Sequence, residues 1–106
     1  MIGQEQIDDI VQRIVVAVDP DKVILFGSYA DGTSHENSDL DILVIKQTDV
    51  SPYKRALPIR PLLRDTGVSI DLLVWTEYEY QARRKNPYSV GAEIGTKGKL
   101  LYERKQ

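Results

Sequence analysis

The sequence contains no cysteine and only one histidine among its 106 residues. The absence of cysteine excludes a disulfide scaffold, cysteine-ligated zinc and a thiol nucleophile. One histidine cannot build a multi-histidine metal site, and a Ser-His-Asp triad would have to use His35. The longest apolar runs, about five residues, fall far short of the ~18 that cross a bilayer. The acidic, amphipathic first ten residues differ from a signal peptide. We therefore expect a cytoplasmic protein with no membrane partner.

The sequence also has no excess of positive charge. Lysine and arginine number 14 against 16 aspartate and glutamate residues, so the net charge is −2. A general nucleic-acid binder is normally basic, so we expect no direct binding to nucleic acid. A nucleotide held through metal ions remains compatible with this charge. The length predicts a single domain over residues 1–106 with one modest core.

The apolar pattern predicts an α/β domain. Apolar residues recur at helical spacing over 4–18, and this helix should end before Pro20. Pro58 and Pro61 should break a helix over 51–66. The other predicted elements are strands over 23–26, 40–45, 68–75 and 99–102 and helices over 76–85 and 87–94.

Of the first three predicted strands, two carry an aspartate among apolar neighbours: Asp41 in 40–45 and Asp71 in 68–75. A buried, ionised carboxylate is costly unless it is paired or binds a cation. The alternative is that these aspartates simply face solvent at strand ends. Their occurrence together, behind a Gly-Ser turn, favours a functional cluster.

The segment Ser38-Asp39-Leu40-Asp41 predicts a cation site. Side chains alternate along a strand, so Asp39 and Asp41 should point to the same face and repel each other unless a cation lies between them. Oxygen ligands without histidine or cysteine suit Mg²⁺ or Mn²⁺. Asp71 has the right context for a third ligand. Three aspartates and two Mg²⁺ are the parts of a two-metal phosphoryl or nucleotidyl transfer site.

The Gly27-Ser28 pair predicts a phosphate-binding turn. It follows a predicted strand, and Ser28 can open a short helix. Glycine lets a phosphate approach the backbone, and a helix N-terminus offers free N–H groups. Ser28 could alternatively serve only as a helix cap. We expect Ser38 to cap its loop and His35 to be solvated.

These residues resemble a known family. Gly27-Ser28-Tyr29-Ala30-x-Gly32 followed by Ser38-Asp39-Leu40-Asp41 is similar to the signature of nucleotidyltransferases of the DNA polymerase β superfamily, and the whole chain resembles a minimal nucleotidyltransferase (MNT) domain. The resemblance implies a small mixed sheet flanked by helices, the polymerase β-like palm, which uses ATP and two Mg²⁺. Many members of the family carry arginine at the position of Asp31.

The resemblance also implies roles for individual residues. Gly27 and Ser28 would contact the triphosphate. Asp39 and Asp41 would ligate both metal ions. Asp71 would ligate the catalytic metal and help to activate the acceptor hydroxyl.

The acceptor is expected to lie on another protein. About 100 residues suffice for the metal and nucleotide half of such a site but leave little for an acceptor pocket. MNT proteins are often antitoxins paired with a HEPN ribonuclease toxin, so the resemblance implies transfer of AMP to a tyrosine of such a toxin within a hetero-oligomer. Two alternatives stay open: an antitoxin that acts by binding alone, and an enzyme with a small-molecule or RNA acceptor.

Overall fold

A four-stranded mixed sheet forms the centre of the molecule in the computed structural model, which describes residues 1–105. The strand order is β3-β2-β1-β4. Strand β1 pairs antiparallel with β2 and β4, whereas β2 and β3 are parallel. The predicted fold class, a small mixed sheet flanked by helices, is therefore confirmed. The strands are β1 (Lys22–Phe26), β2 (Leu40–Ile45), β3 (Ile70–Trp75) and β4 (Lys99–Glu103).

In the described part of the chain, four α-helices and two short 3₁₀ helices connect and cover the strands. Among residues 1–105, none of the helices has the length and apolar character that a membrane span needs. The α-helices are α1 (Gln4–Val18), α2 (Ser28–Asp31), α3 (Glu77–Arg84) and α4 (Val90–Lys97), and the 3₁₀ helices are Pro52–Lys54 and Arg60–Thr66.

Both faces of the sheet are packed, because alternate residues of each strand point to opposite sides. One face receives α1, whose Ile10 and Ile14 are completely buried against it. The other face receives α3 and α4 through Tyr80 and Ile94, which pack with Trp75. The carboxylates discussed below belong to this second face.

Most predicted elements are confirmed, and the differences have local causes. The helix over 4–18 ends at Val18, as predicted. The segment 51–66 contains two 3₁₀ helices instead of a broken α-helix. The third strand begins at Ile70 rather than at residue 68, because Gly67 adopts a positive φ of 68° and Val68 N–H donates to Thr66 Oγ1 at 3.2 Å.

The helix predicted over 87–94 was placed about one turn too early. Helix α4 begins at Val90 because the Ser89 side chain caps it, accepting a hydrogen bond from Ala92 N–H at 3.1 Å. The helix predicted over 76–85 is confirmed as α3, and it begins with a capping box in which Glu79 N–H donates to Thr76 Oγ1 and Thr76 N–H donates to Glu79 Oε1.

Arg55 attaches the irregular segment 46–66 to the sheet. Its side chain is almost completely buried, and its Nη1 donates to Val74 O at 3.2 Å while its Nε donates to Val50 O at 2.7 Å. The same guanidinium forms an ion pair with Glu79 at 2.7 Å. The hydrogen bond from Arg55 lowers the pKa of Glu79 to about 2, against the opposing effect of burial.

We expect the Arg55–Glu79 pair to make stability depend on acid pH. The folded pKa of Glu79 lies below its ordinary value of 4.5, so its contribution is present above about pH 4.5 and is lost as the pH falls towards 2. Urea denaturation at pH 6 and pH 3 should show a loss about 2 kcal/mol larger for the wild type than for Glu79→Gln. Identical losses in the two proteins would contradict this role.

Candidate active site

The predicted carboxylates lie at one end of the sheet, where β2 and β3 begin. In the parallel register of these strands, Asp41 is the direct partner of Asp71. Residues in register on neighbouring strands point to the same side of a sheet. Asp41 shares its side with Leu43 of the same strand, and Asp71 shares its side with Trp75. Both aspartates therefore belong to the face that α3 and α4 cover.

The burial of these side chains differs from the expectation. Asp41 is half-buried, whereas Asp39 and Asp71 are exposed. Asp71 is exposed because β3 is an edge strand and Asp71 lies near its start. The argument from the cost of burying a carboxylate thus holds for Asp41 alone.

The carboxylates interact electrostatically around Asp41. Burial raises the pKa of the Asp41 carboxyl, and the negative charges of Asp71 and Asp39 raise it further. Within residues 1–105, however, no three acidic, histidine or cysteine side chains are gathered closely enough to hold a metal ion as they stand. The three aspartates therefore lie at the same end of the sheet, and binding of a metal ion would require their side chains to move closer together.

A fourth carboxylate was missed by sequence reasoning. Glu93 lies on α4, and its negative charge also raises the pKa of Asp41. Nothing in the local sequence separates Glu93 from any other acid of a surface helix. Only the packing of α4 against β1 brings it towards the site.

Gly27 leaves the space that the Asp41 carboxylate occupies. Phe26 pairs directly with Asp41 across β1 and β2, so the next residue, Gly27, passes over that side chain. A Cβ at position 27 would lie 2.9 Å from Asp41 Cγ and nearer still to Oδ2. Gly27 also has φ 72° and ψ −153°, a region open essentially to glycine only. Both the backbone and the neighbouring carboxylate therefore require glycine here.

Helix α2 confirms the predicted short helix after Gly27. Its N-cap is Gly27 and not Ser28, so the alternative that Ser28 serves only as a cap is wrong. Ser28 is instead the first helical residue, and its carbonyl accepts hydrogen bonds from Gly32 and Thr33 at 3.1 and 3.0 Å. The first N–H groups of a helix have no carbonyl partner within it, which suits an anion at this turn.

The loop between α2 and β2 is held by its own polar side chains. Ser38 Oγ accepts from His35 N–H at 2.9 Å, which confirms its predicted capping role. His35 lies in this loop and its Nδ1 accepts from Asn37 N–H at 3.2 Å. Asp31 is exposed, and its carboxylate accepts from Thr33 N–H at 3.0 Å. The hydrogen bonds from Thr33 lower the pKa of Asp31, with a smaller contribution from the positive charge of Lys97.

Comparison with known proteins identifies the family of the chain. Residues 5–106 match the family described as "Polymerase beta, Nucleotidyltransferase". The chain belongs to this nucleotidyltransferase family.

Two similar proteins come from Methanocaldococcus jannaschii, and both are named "Putative protein adenylyltransferase". The first is 38% identical to this nucleotidyltransferase over 81 residues, covering 76% of this chain and 77% of the relative. The second is 33% identical over 90 residues, covering 77% of this chain and 58% of the relative.

Solved structures share the fold. A "putative nucleotidyltransferase" from Sulfolobus solfataricus superposes with a TM-score of 0.69 at 20% identity, covering 94% of this chain and 79% of that chain. A toxin–antitoxin structure with AMP-PNP gives a TM-score of 0.63 at 24% identity, covering 93% of this chain and 75% of that chain. A toxin–antitoxin structure named MntA-HpeT gives 0.61 at 20% identity, covering 99% and 77%.

The donor chemistry of this nucleotidyltransferase site fits Mg²⁺. The groups around Asp41 are carboxylates, which are the oxygen ligands that Mg²⁺ and Mn²⁺ prefer. Their mutual repulsion contributes to the raised pKa of Asp41, and a divalent cation would relieve it. The residue types present therefore suit a hard divalent cation, although their side chains would have to converge to bind it.

We expect Gly27→Ala to disrupt the site and the fold together. The matched control is Gly67→Ala, since Gly67 also has a positive φ of 68° but a Cβ there would meet no atom within 4 Å. Urea denaturation should show a loss of about 1–2 kcal/mol for Gly67→Ala from backbone strain alone. Gly27→Ala should cost at least about 2 kcal/mol more, because the clash with Asp41 adds to the strain. Equal losses would show that the Asp41 carboxylate does not need this space.

We also expect Asp41 to destabilise the metal-free protein. The pKa of Asp41 is raised in the folded state, so its ionised carboxylate lowers the free energy of unfolding at neutral pH. This destabilisation disappears as the pH falls through the folded pKa. In EDTA at pH 7, Asp41→Asn should be more stable than the wild type by up to about 1 kcal/mol. The difference should vanish at pH 3, and Mg²⁺ should stabilise the wild type but not the variant. A less stable variant at pH 7 would overturn this interpretation.

Proposed function

We propose that this chain is a Mg²⁺-dependent adenylyltransferase that transfers AMP from ATP to a tyrosine hydroxyl of a partner HEPN-type toxin and thereby acts as its antitoxin. The observation that carries the proposal is the in-register pair of Asp41 and Asp71 beside the Gly27-Ser28 turn. The names of the adenylyltransferase relatives support a protein as the acceptor, and those of the toxin–antitoxin structures support a toxin as the partner.

In this proposal the site residues form two groups, one for the metal and one for the phosphates. Asp39, Asp41 and Asp71 would hold Mg²⁺, or Mn²⁺ in its place, and Gly27 and Ser28 would hold the triphosphate. Bound metal would stabilise the charge that develops on the oxygens around the α-phosphorus. The N–H groups at the N-terminus of α2 would hold the phosphate, next to the Asp41 carboxylate that fills the space beside Gly27.

The transfer itself needs an acceptor oxygen, a leaving group and a place for one proton. The tyrosine oxygen forms a bond to the α-phosphorus, the bond to the bridging oxygen of pyrophosphate breaks, and pyrophosphate leaves. The exposed Asp71 carboxylate accepts the proton of the hydroxyl. Asp41 is half-buried and lies further from any incoming side chain, so it is suited to holding the metal rather than the proton.

The acceptor would reach the site from outside the chain. The edge that carries Asp71 is exposed, so it is accessible to a segment of another protein. Such an encounter implies a hetero-oligomer. The absence of cysteine suits the reducing cytoplasm, where ATP is also available.

A second candidate function is neutralisation of the partner by binding alone. It is favoured by two observations: the carboxylates among residues 1–105 are not gathered into a ligand cluster, and the α2 turn carries the negative charge of Asp31. The two candidates differ in whether loss of the carboxylates abolishes neutralisation.

A labelling experiment tests the proposal. Purified protein, Mg²⁺ and α-labelled ATP are added to a lysate of the source cells, and labelled protein is sought. We expect a labelled band whose intensity falls at least about 1,000-fold with Asp39→Asn/Asp41→Asn and with Asp71→Asn, because the metal and proton sites are lost. The matched control is Asp49→Asn, an aspartate outside the site, which should retain the label.

The same experiment can reject the proposal. Absence of a labelled protein with ATP, CTP, GTP and UTP would remove transfer to protein. Label on RNA or on a small molecule would show that the acceptor class is wrong. Full neutralisation of the partner by Asp39→Asn/Asp41→Asn would favour binding alone.

A further inference from the structure

An open groove lies between the second 3₁₀ helix and the outer edge of β3. Its volume of about 250 Å³ is below the roughly 300–1,000 Å³ of ordinary small-molecule sites, so it suits the side chains of a peptide better than a whole small molecule. Its lining combines four apolar side chains with two arginines: Leu63, Val68, Ile70, Leu72, Arg60 and Arg64.

The backbone of β3 is unpaired along this groove. Strand β3 bonds to β2 through alternate residues, and Ser69 O accepts from Leu40 N–H at 2.9 Å. The residues that alternate with Ser69, among them Ile70 and Leu72, therefore direct their N–H and C=O groups away from β2. Within residues 1–105, no hydrogen bond satisfies these outward groups of Ile70 and Leu72. Such an edge can accept a further strand.

The two arginines bring unneutralised positive charge to the groove. Arg60 and Arg64 are exposed, and among residues 1–105 neither forms an ion pair. Four residues of a 3₁₀ helix rise about 8 Å, which is close to the roughly 6.6 Å between alternate residues of an extended chain. The arginines therefore complement two carboxylates on one face of an extended segment. The apolar lining favours a peptide over a nucleic acid, whose backbone has no apolar side chain to bury.

The groove adjoins the proposed reaction site through the chain itself. Ile70 and Leu72 line the groove, and Asp71 lies between them with its side chain on the opposite face of the sheet. Val68 lines the groove and also a second cavity, which Asp39 lines as well. A segment paired with the edge of β3 would have one face in the groove and its other face beside Asp71.

We propose that this groove and the free edge of β3 bind the acceptor protein as an added strand. The bound segment carries two carboxylates and an apolar side chain on one face and the acceptor tyrosine on the other. The proposal rests on the adenylyltransferase function proposed above and specifies how the acceptor is recognised. In complexes of this kind, main-chain hydrogen bonds to the strand edge give affinity and side-chain pockets give specificity. The tyrosine therefore lies an odd number of residues from the acidic and apolar ones.

Binding is measured with the full chain and a defined probe, the fluorescein-labelled peptide Ser-Glu-Thr-Glu-Tyr-Leu-Thr with blocked ends. Fluorescence anisotropy should show a Kd at least about tenfold higher for Arg60→Glu/Arg64→Glu than for the wild type, because two attractions become repulsions. Arg60→Lys/Arg64→Lys keeps both charges and should bind within about threefold of the wild type. The matched control is Lys54→Glu/Lys85→Glu, which makes the same charge change on exposed residues outside the groove.

Changes in the peptide keep the test independent of how well a variant folds. Replacing both glutamates of the probe by lysine should abolish binding to the wild type and restore binding to Arg60→Glu/Arg64→Glu. Replacing its leucine by serine should raise the Kd for the wild type about fivefold to tenfold, since an apolar contact with the groove is lost. Thermal melting of each variant reports its folding.

Amide hydrogen exchange tests the added strand itself. Saturating peptide should slow exchange of the Ile70 and Leu72 amides at least about tenfold, because these outward N–H groups gain a partner. The Asp71 amide faces β2 and should change much less, which makes it the internal control.

Transfer is measured separately with Mg²⁺ and α-labelled ATP. The probe is compared with its isomer Ser-Glu-Thr-Glu-Leu-Tyr-Thr, in which tyrosine takes the groove-facing position. The original peptide should be labelled at least about tenfold faster, because only its tyrosine is on the face that carries Asp71.

The binding and transfer measurements fail independently. The groove is overturned by absence of binding up to about 1 mM peptide, by unchanged exchange at Ile70 and Leu72, or by equal Kd values for the groove and control variants. Equal labelling of the two isomers, or tighter binding of an RNA oligonucleotide than of the peptide, also overturns it. Binding with protection of both amides supports the groove even if no peptide or protein is labelled, in which case only the proposed function fails.

Discussion

The Asp41 carboxylate occupies the space in which a side chain of residue 27 would lie. This exclusion fixes the residue at the end of β1, the way in which the chain leaves the sheet and the start of α2. It also joins two features that lie about ten residues apart in the sequence, the Gly-Ser turn and the Ser-Asp-Leu-Asp segment. The proposed phosphate site and the proposed metal site are adjacent because one side chain is missing.

The mixed sheet separates stability from chemistry. Helix α1 packs on one face with completely buried isoleucines, whereas the Asp41–Asp71 pair belongs to the other face. The other face is shared between a smaller core around Trp75 and the carboxylates at the strand starts. The parallel pairing of β2 with β3 places two carboxylates side by side. The fold tolerates the repulsion between them because neither aspartate belongs to the two hydrophobic cores.

Structural features that depend on residues close in sequence were predicted from local sequence patterns. Features that depend on long-range packing were missed. The strands, the capping box at Thr76 and the bond from His35 to Ser38 all follow from residues close in sequence. The exposure of Asp71 was not predictable, because it depends on β3 being an edge strand. The role of Glu93 was equally hidden, since it depends on how α4 packs against β1. The early placement of α4 came from treating Pro87 as a helix start when Ser89 provides the cap.

The Arg55 anchor has a consequence for how the protein is degraded. The segment 46–66 is built of 3₁₀ turns, which hold fewer and poorer hydrogen bonds than an α-helix, and many of its side chains are exposed. Its first half is attached to the sheet by the Arg55 guanidinium, whereas its second half packs into the core through Ile59 and Leu63. Local opening there would expose Arg55 to proteases beside Tyr53 and Lys54, which are already exposed, while the four strands stay paired. Proteolysis in a cell would then begin on the segment around Arg55 and not on the strands that carry the carboxylates.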